Sequence, residues 1–324
     1  MAITTKDIAK MCGVSRATVD RALKGKAQIK EETKVKILQI AKEYDYRPDI
    51  LARSLVKGKS MSIGVVVFDI YNEYFTEMLS SIQSQASERG YFVYYTFSGK
   101  NQKNEIMLIN SLIDRRADGI IVCPINKSEV FNDHFKNVKI PIVTIGNRIS
   151  GNWNFVGIND RETVSHGLSY ILSKGYERVI FVCPPYEKRF TENIYAQEER
   201  VAGFMDYFAG MDSKIESALI THKNYVEELK ETLSQGNKKT AVFCSSDTYA
   251  LELLKHIKVS QTVGFMGFDN VSMLEYITPK LTTIDISIQE QAVTAVDTLI
   301  NLIQGIDMPF VQFAKHRITS GDTL

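Results

Sequence analysis

The chain has 324 residues, 44% of them hydrophobic, so it is too long for one small domain and can bury sizeable cores. No apolar run approaches the ~18 residues of a membrane span, and the start lacks the apolar stretch of a signal peptide, which favours a cytoplasmic protein without a membrane segment. The formal net charge of +1 by itself indicates no class of partner.

The distribution of the charge is more informative than its sum. Residues 1–60 hold 14 Lys and Arg against 7 Asp and Glu, a net charge of +7. The remaining residues hold 25 basic and 31 acidic side chains, a net charge of −6. A basic N-terminal segment on an acidic body suits a protein that places only this segment against phosphate groups.

The four cysteines are scattered and lack the spacing of metal ligands. They are Cys12, Cys123, Cys183 and Cys244. The last three each end an apolar, strand-like run, so we expect buried thiols in a reducing compartment and neither a disulfide nor a zinc site.

The N-terminal stretch predicts two short helices joined by a turn. Thr4 and Asp7 form a capping box, Gly13 permits a tight turn, and Ser15 caps a second helix that ends near Leu23. The apolar residues left to pack the helices together are Ile8, Ala9, Val14, Val19 and Leu23. This is the pattern by which a helix-turn-helix places a recognition helix in the major groove of DNA.

The predicted recognition helix carries side chains suited to base contacts. Those expected on its outer face are Arg16, Thr18 and Arg21. Arg16 can donate two hydrogen bonds to a guanine, whereas Ala17 can contact only a thymine methyl group. Asp20 would repel the DNA backbone unless Lys24 or Arg21 pairs with it.

Residues 31–45 predict a third helix. Its apolar positions are Val35, Leu38 and Ala41 on one face, with Ile37, Ile40 and Tyr44 beside it. Lys30 stands at the N-cap position, where a Ser or Thr would bond the first free amides, so the cap of this helix is open to question.

Four spaced elements follow one another in this region. They are Thr4-x-x-Asp7-Ile8-Ala9, Gly13-Val14-Ser15, Thr18-Val19-x-Arg21 and Tyr46-x-Pro48-Asp49-x-x-Ala52-Arg53-Ser54-Leu55. Together they resemble the DNA-binding head of the lac repressor (LacI/GalR) family of bacterial regulators, whereas a capping box alone would indicate only a helix start. The resemblance implies DNA contacts from nine head residues: Thr4, Thr5, Ser15, Arg16, Ala17, Thr18, Arg21, Lys24 and Thr33.

The resemblance divides the chain into a helix-turn-helix head (1–47), a hinge helix with a linker (48–60) and a two-lobed effector-binding and dimerisation domain (61–324). Pro48 stops the preceding helix, and Asp49 can cap a segment so short that it is marginal alone in water. In the family this hinge folds on operator DNA, and Leu55 stands where a leucine is wedged into the minor groove. Asp49, Ala52 and Leu55 are therefore implied DNA contacts; the alternative is a linker helix without a DNA role.

Strand-like runs alternate with helical stretches through the rest of the chain. The predicted strands span 62–68, 91–97, 119–123, 140–145 and 155–158, and then 178–183, 215–220, 241–244 and 262–266. This alternation predicts two α/β lobes with doubly wound parallel sheets. They resemble periplasmic sugar-binding proteins, which implies one lobe from 61–159 and 289–313 and a second from 162–286.

Polar and aromatic residues follow several predicted strands, at the sheet edge where α/β folds bind ligands. By resemblance, ten residues face an effector: Asp69, Asn72, Tyr74, Phe75, Asn147, Arg148, Arg200, Ser246, Asp247 and Asp269. Arg donors opposite Asp acceptors suit a sugar or a sugar acid, although each alone could be a helix cap or a solvated loop charge. Glu73 replaces the proline of the family's turn, and Ile286 stands where sugar-binding relatives often carry Gln.

The sequence shows no catalytic, nucleotide-binding or metal motif, and its five histidines are dispersed. We therefore expect no enzyme and no cofactor, but a homodimeric, ligand-responsive repressor of carbohydrate uptake or catabolism genes that binds a near-palindromic operator. An activator of the same family, a cytoplasmic sugar-binding protein without a regulatory role, a solute-binding protein for transport and a sugar-processing enzyme are the alternatives.

Overall fold

A computed structural model describes residues 3–26, 29–47, 58–209 and 215–324. The contacts divide the chain into two compact units, 1–60 and 61–324, which we call the head and the body. The hinge residues Asp49, Ala52 and Leu55 lie outside the described ranges.

The described residues of the head form three helices: α1 (Thr5–Cys12), α2 (Arg16–Leu23) and α3 (Glu31–Glu43). The predicted capping box is present, since the Asp7 amide donates to Thr4 Oγ1 (3.3 Å) and the Thr4 amide donates to Asp7 Oδ2 (3.0 Å). Gly13 has a φ of 71°, a left-handed conformation that glycine adopts without strain. Ser15 accepts the Thr18 amide at 3.2 Å, which confirms the predicted cap of α2.

The buried core of the head takes one residue from each of the two apolar faces of α3. Its members are Ile8, Ala9, Val19, Ala22, Ile37 and Ala41. Val35 and Leu38 of α3 are 53% and 41% exposed, so they contribute little to this core. The helix carries apolar residues on two neighbouring faces, and periodicity alone cannot decide which of them packs against α1 and α2. Lys30 forms no side-chain cap.

Each lobe of the body is built on a six-stranded sheet. Lobe 1 contains β1 (Ser62–Val67), β2 (Phe92–Phe97), β3 (Gly119–Val122), β4 (Ile142–Ile145), β5 (Asn154–Gly157) and β11 (Val311–Phe313), in the order β11-β5-β4-β3-β1-β2. Lobe 2 contains β6 (Arg178–Val182), β7 (Glu216–Ile220), β8 (Thr240–Cys244), β9 (Val263–Asp269), β10 (Thr282–Asp285) and β12 (Arg317–Thr319), in the order β12-β10-β9-β8-β6-β7. Strand β12 runs antiparallel to β10, and the other neighbouring strands are parallel, as predicted.

Helices connect these strands in the expected alternation. They are α4 (Glu73–Glu88), α5 (Gln102–Asp114), α6 (Ser128–Phe135), α7 (Asp160–Ser173), α8 (Tyr195–Ala209), α9 (Tyr225–Ser234), α10 (Asp247–Leu254) and α11 (Ile288–Ile303), with short 3-10 helices at Tyr186–Phe190 and Ser272–Tyr276. In the described parts of the chain, no helix combines the length and apolarity needed to cross a bilayer.

The chain passes between the lobes three times, after β5, after β10 and after β11. Helix α11 packs on α4 and on strands β3, β4 and β5, so it returns to lobe 1 as the predicted division of the lobes requires. This threading turns the carboxyl ends of both sets of parallel strands toward a shared cleft, where polar strand-end residues can meet.

Candidate functional site

Helix α2 presents a charged face and buries an apolar one. Val19 and Ala22 are buried in the head, whereas Arg16, Ala17 and Arg21 are exposed. Among the other predicted DNA contacts, Thr4, Ser15 and Lys24 are exposed, and Thr5, Thr18 and Thr33 are half-buried. The surface that helix-turn-helix proteins lay in the major groove is thus formed here by α2.

The acidic residue of α2 has a partner one turn away. Lys24 Nζ lies 2.5 Å from Asp20 Oδ2, which fulfils the condition under which this carboxylate can be tolerated beside DNA. Within the described residues, no ion pair involves Arg16 or Arg21. Both guanidinium groups can therefore donate to bases or phosphates.

A cavity of about 470 Å³ lies between the two lobes of the body. Eight of the ten predicted effector contacts line it: Asp69, Asn72, Tyr74, Phe75, Asn147, Arg200, Ser246 and Asp269. Arg148 and Asp247 are not among the lining residues.

Arg200, on the second turn of α8, is the centre of the polar wall. Its Nε donates to Asp160 Oδ1 at 2.7 Å, and its Nη1 donates to the Ser245 carbonyl and lies 3.8 Å from Asp269 Oδ1. The guanidinium stacks over the Phe268 ring, 3.7 Å from its centroid. The Arg200 guanidinium thus lies between two carboxylates, and all three side chains are largely buried.

Burial changes the titration of these carboxyl groups. It raises the pKa of Asp160 to about 6, against the opposing attraction of Arg200. It also raises the pKa of Asp269 well above its usual value, again with Arg200 opposing. The Ser246 side chain bonds Asp269 and caps α10 by accepting the Thr248 amide at 3.1 Å.

The wall supplied by lobe 1 is mostly aromatic. Asn72 caps α4 through the Tyr74 amide (3.1 Å) and so presents Tyr74 and Phe75 to the cavity. The ring centroids of these two residues are 5.1 Å apart in an edge-to-face contact, and Phe68 packs on Phe75 at 4.8 Å. Such rings offer apolar faces on which the C–H groups of a sugar can rest.

Asp69 lies at the carboxyl end of β1 and is paired with Lys100. Its Oδ2 lies 2.6 Å from Lys100 Nζ, and its Oδ1 accepts the Tyr71 amide at 2.9 Å. Partial burial acts to raise the pKa of Asp69, but the bonds from Lys100 and Tyr71 outweigh it and hold the pKa below its usual value.

Asp247 is the clearest departure from the expected set. Its Oδ1 accepts the Thr283 hydroxyl at 2.6 Å, its Oδ2 accepts the Val271 amide at 3.1 Å, and burial raises its pKa to about 7. The carboxyl group points into the sheet and lies against Gly267, where an added Cβ would be 2.1 Å from Asp247 Oδ1. Asp247 therefore links β10 to the segment after β9 and does not line the cavity.

The Asn147-Arg148 pair also has a different placement. Asn147 lines the cavity, but its Nδ2 donates to the carbonyls of Pro124 (3.1 Å) and Asn193 (3.0 Å), and its Oδ1 accepts the Ala196 amide (3.2 Å). The Arg148 side chain bonds Tyr195 and does not line the cavity. Asn147 joins the two lobes, and Arg148 contacts lobe 2 outside the cavity.

The sequence interpretation missed several cavity residues, among them Asp160, Lys188, Glu192, Tyr249 and Gln291. Asp160 could have been found, because Asn159-Asp160 directly follows strand β5 and the strand-end rule applies to it as it does to Asp69. Gln291 donates to the Ile286 carbonyl at 2.7 Å from within α11, and no local pattern distinguishes it.

One of the four cysteines, Cys123, lines the cavity. All four cysteines are free, and Cys123, Cys183 and Cys244 are buried, as predicted. Burial raises the pKa of Cys123 to about 12, so its thiol stays protonated at neutral pH.

Comparison with known proteins agrees with both parts of the molecule. Residues 4–49 match the family described as bacterial regulatory proteins, lacI family, and residues 63–307 match the periplasmic binding protein domain. Catabolite control protein A of Priestia megaterium is 26% identical over 98% of each chain.

Two solved structures share the fold. The lac repressor dimer bound to operator and the anti-inducer ONPF superimposes with a TM-score of 0.85 at 18% identity, over 100% of this chain and 99% of that chain. A periplasmic binding protein/LacI transcriptional regulator from Alkaliphilus metalliredigens QYMF complexed with D-xylulofuranose gives a TM-score of 0.67 at 24% identity, over 81% of this chain and 98% of that chain. The chain belongs to the LacI family of bacterial transcription regulators, with a periplasmic-binding-protein domain as its body.

Proposed function

We propose that this protein is a ligand-responsive repressor of carbohydrate uptake or catabolism genes that acts in the cytoplasm. The observation that supports it best is the presence, in one chain, of an exposed arginine face on α2 and an interlobe cavity organised around Arg200. A transport protein would not need an exposed arginine face on a helix-turn-helix. An enzyme would need a nucleophile, a base or a metal in the cavity, and the carboxylates that line it are engaged with Arg200, Lys100 and Lys188.

The repressor acts as a homodimer on a near-palindromic operator. The lac repressor, which has the same fold, was solved as a dimer on its operator. Two-fold symmetry of the protein matches two-fold symmetry of the half-sites, so each α2 occupies one major groove. Arg16, Ala17 and Arg21 contact bases, and the remaining predicted head residues position the helix on phosphates. The hinge residues Asp49, Ala52 and Leu55 are further DNA contacts in this proposal, with Leu55 as the minor-groove wedge.

The effector is a neutral sugar. Each cation that lines the cavity within the described residues is already paired: Lys100 with Asp69, Lys188 with Glu192 and Arg200 with Asp160. Asp269 adds a further acceptor for the same arginine, so among the described residues the cavity offers no unpaired cation for the charge of a sugar acid or a sugar phosphate. Hydroxyl groups can donate to Asp160 and Asp269 and accept from neighbouring amides, and the rings of Tyr74 and Phe75 cover the apolar face of the sugar.

The effector acts by changing the arrangement of the lobes. A ligand that bonds lobe 1 and lobe 2 together favours the closed body, and the head then binds the operator with a different affinity. The coupling is limited by the difference in affinity of the ligand for the two arrangements.

A thermal-shift screen tests the effector class. The full-length protein is heated with D-xylulose, D-ribose, D-glucose and cellobiose, and separately with gluconate and glucose 6-phosphate. We expect stabilisation by one or more neutral sugars, lost in Arg200→Ala and retained in Arg161→Ala, an exposed arginine on the neighbouring helix. Stabilisation by the anions alone would contradict the neutral class.

Mobility shifts on a genomic fragment library test the regulatory function. We expect selective binding to a small set of fragments carrying inverted repeats, and a change in affinity on addition of the sugar identified by thermal shift. Equal binding to every fragment, or no response to that sugar, would argue against a ligand-responsive repressor.

A further inference from the structure

Two carboxylates at the start of α4 bond the backbone of lobe 2. Glu77 Oε1 accepts the Ser272 amide at 2.6 Å. Glu73 accepts the Ser272 hydroxyl at 3.0 Å and the Met273 amide at 3.3 Å. We call these four residues (Glu73, Glu77, Ser272 and Met273) the interlobe clasp.

The clasp connects the two segments that carry the cavity walls. Tyr74 and Phe75, which line the cavity, lie on the same first turn of α4 as Glu73. On the other side, Asp269 lies three residues before Ser272. Separation of the two walls at this point therefore breaks the clasp.

The backbone between Asp269 and the clasp has an uncommon conformation. Asp269 and Asn270 have φ angles of 118° and 58°, values that non-glycine residues rarely adopt and that persist only where the surroundings hold them. The Val271 amide, next in the chain, donates to the buried Asp247. The segment 269–273 is therefore held at the cavity, in the sheet and at the clasp, so Asp269 and Ser272 move with lobe 2 as one constrained segment.

The chemistry of the clasp suits a contact that forms and breaks. Within the described residues, neither Glu73 nor Glu77 takes part in an ion pair, and both are half-buried. Their acceptors are charged and their donors neutral, which strengthens the hydrogen bonds while the lobes are together, and the bond from the Ser272 amide to Glu77 is short at 2.6 Å. When the lobes separate, both carboxylates can return to water without leaving a buried cation unpaired.

We propose that the interlobe clasp sets the balance between the open and the closed body, and with it the effector concentration at which the regulator responds. The inference rests on the proposed ligand-responsive function. Glu73 and Glu77 do not line the cavity and act as positioning residues. Because the effector binds the closed body, its apparent affinity falls as the fraction of open molecules rises.

A second set of contacts between the lobes provides a distant reporter. The Asn193 amide donates to the Ile125 carbonyl at 2.8 Å, and the Ala196 amide donates to Asn147 Oδ1 at 3.2 Å. Neither bond shares a residue with the clasp. If the clasp controls closure of the whole cleft, weakening it must also expose these amides, whereas a purely local role would leave them unchanged.

Amide hydrogen exchange on the full-length protein without any sugar tests the proposal, with fragmentation mass spectrometry to resolve single amides. Wild type is compared with Glu73→Ala/Glu77→Ala and with Glu88→Ala, which removes an exposed carboxylate from the last turn of the same helix. In the double variant we expect exchange to be about ten-fold faster at Ser272, Met273, Asn193 and Ala196, and unchanged within β9. Glu88→Ala should match wild type.

Two results would overturn the proposal. Faster exchange confined to Ser272 and Met273 would show that the clasp protects only these two amides and does not control closure. No change at any of the four amides would show that the clasp does not hold the lobes together. If exchange also rises within β9, the double variant has destabilised lobe 2 itself. The single variant Glu73→Ala, which keeps the Glu77 bond, is then measured instead. Faster exchange at Asn193 supports the proposal, and unchanged exchange there contradicts it. Since no sugar is present, this result does not depend on whether the proposed effector class is right.

Discussion

The head and the body use the same side chain in opposite ways. Arg16 and Arg21 stand exposed on α2, with no acid paired to them among the described residues. Arg200 is enclosed in the cleft, with its side chain 11% exposed and two carboxylates within reach. The first arrangement leaves positive charge for a polyanion, and the second neutralises the charge before a ligand arrives.

The difference predicts how each site responds to its surroundings. An exposed cation beside DNA acts by displacing counterions, so its contribution depends on salt. A guanidinium held between buried acids is little screened and acts through the direction of its hydrogen bonds. Experiments that change salt, remove one arginine or neutralise one acid should therefore separate the two sites.

Salt should give the largest contrast. The net charge of +7 on residues 1–60 predicts that several counterions leave per protomer on DNA binding. We expect operator affinity to fall by about 10³-fold or more between ~50 and ~200 mM salt, measured by fluorescence anisotropy on a selected fragment. The affinity for the neutral sugar, measured by calorimetry over the same salt range, should change little. An equal salt dependence of operator binding and sugar binding would contradict the difference between the two sites.

Removing Arg200 should have the next largest effect. Arg200→Ala leaves Asp160 and Asp269 without their cation, and breaking a buried pair in this way costs about 3–5 kcal/mol. We expect this loss in the urea unfolding of the body, together with at least ~10-fold weaker sugar binding. Arg161→Ala, which breaks exposed pairs with Glu199 and Asp206, should cost less than about 1 kcal/mol.

The same variant has a predictable pH dependence. Burial raises the pKa of Asp160 to about 6, and loss of Arg200 removes the attraction that opposes this rise. A raised folded-state pKa makes the ionised acid destabilising above that pKa, and the penalty fades as the acid takes up a proton. The stability deficit of Arg200→Ala should therefore shrink between about pH 8 and about pH 5; a deficit that grows on acidification would show that the acids are not left unpaired.

The contrast between the sites also shows what a sequence can and cannot specify. Capping residues and apolar runs act locally, so the capping box of α1 and strands β1 to β9 were predictable. The short strands β10, β11 and β12 were not predicted. The strand-end rule places a residue at the correct edge, but it does not decide where the side chain turns. Ser246 and Asp247 are adjacent, yet Ser246 faces the cavity, whereas Asp247 turns inward to Thr283 and Val271.

Contacts between distant segments account for the remaining errors. Arg148 bonds Tyr195, which comes from the other lobe, and Gln291 reaches the cavity from a helix after the second crossover. In the head, the apolar α3 offers two faces, and only the position of α1 and α2 selects Ile37 over Val35. These outcomes depend on tertiary packing, which periodicity within one segment does not contain.

Arg21 should have a moderate effect that is specific to sequence. If its guanidinium contacts a base, Arg21→Ala should weaken operator binding by about 1–3 kcal/mol and affect random DNA much less. Lys36→Ala, which removes an exposed charge from α3, serves as the control for general electrostatics. Equal losses on operator and random DNA would assign Arg21 to a phosphate.

Neutralising Asp20 should produce the smallest effect, and one of opposite sign. The carboxylate lies on the proposed DNA-facing helix and holds Lys24 at 2.5 Å. Asp20→Asn removes one negative charge and frees Lys24, so binding to random DNA should tighten several-fold at low salt and the salt slope should steepen by about one phosphate contact. Glu43→Gln makes the same charge change at the end of α3 and should tighten binding less. In the cleft the same exchange at Asp160 removes an acceptor of Arg200 and should weaken sugar binding, because there the acid orients the arginine, whereas in the head it neutralises a lysine. Weaker DNA binding by Asp20→Asn would instead show that the pair with Lys24 positions the helix.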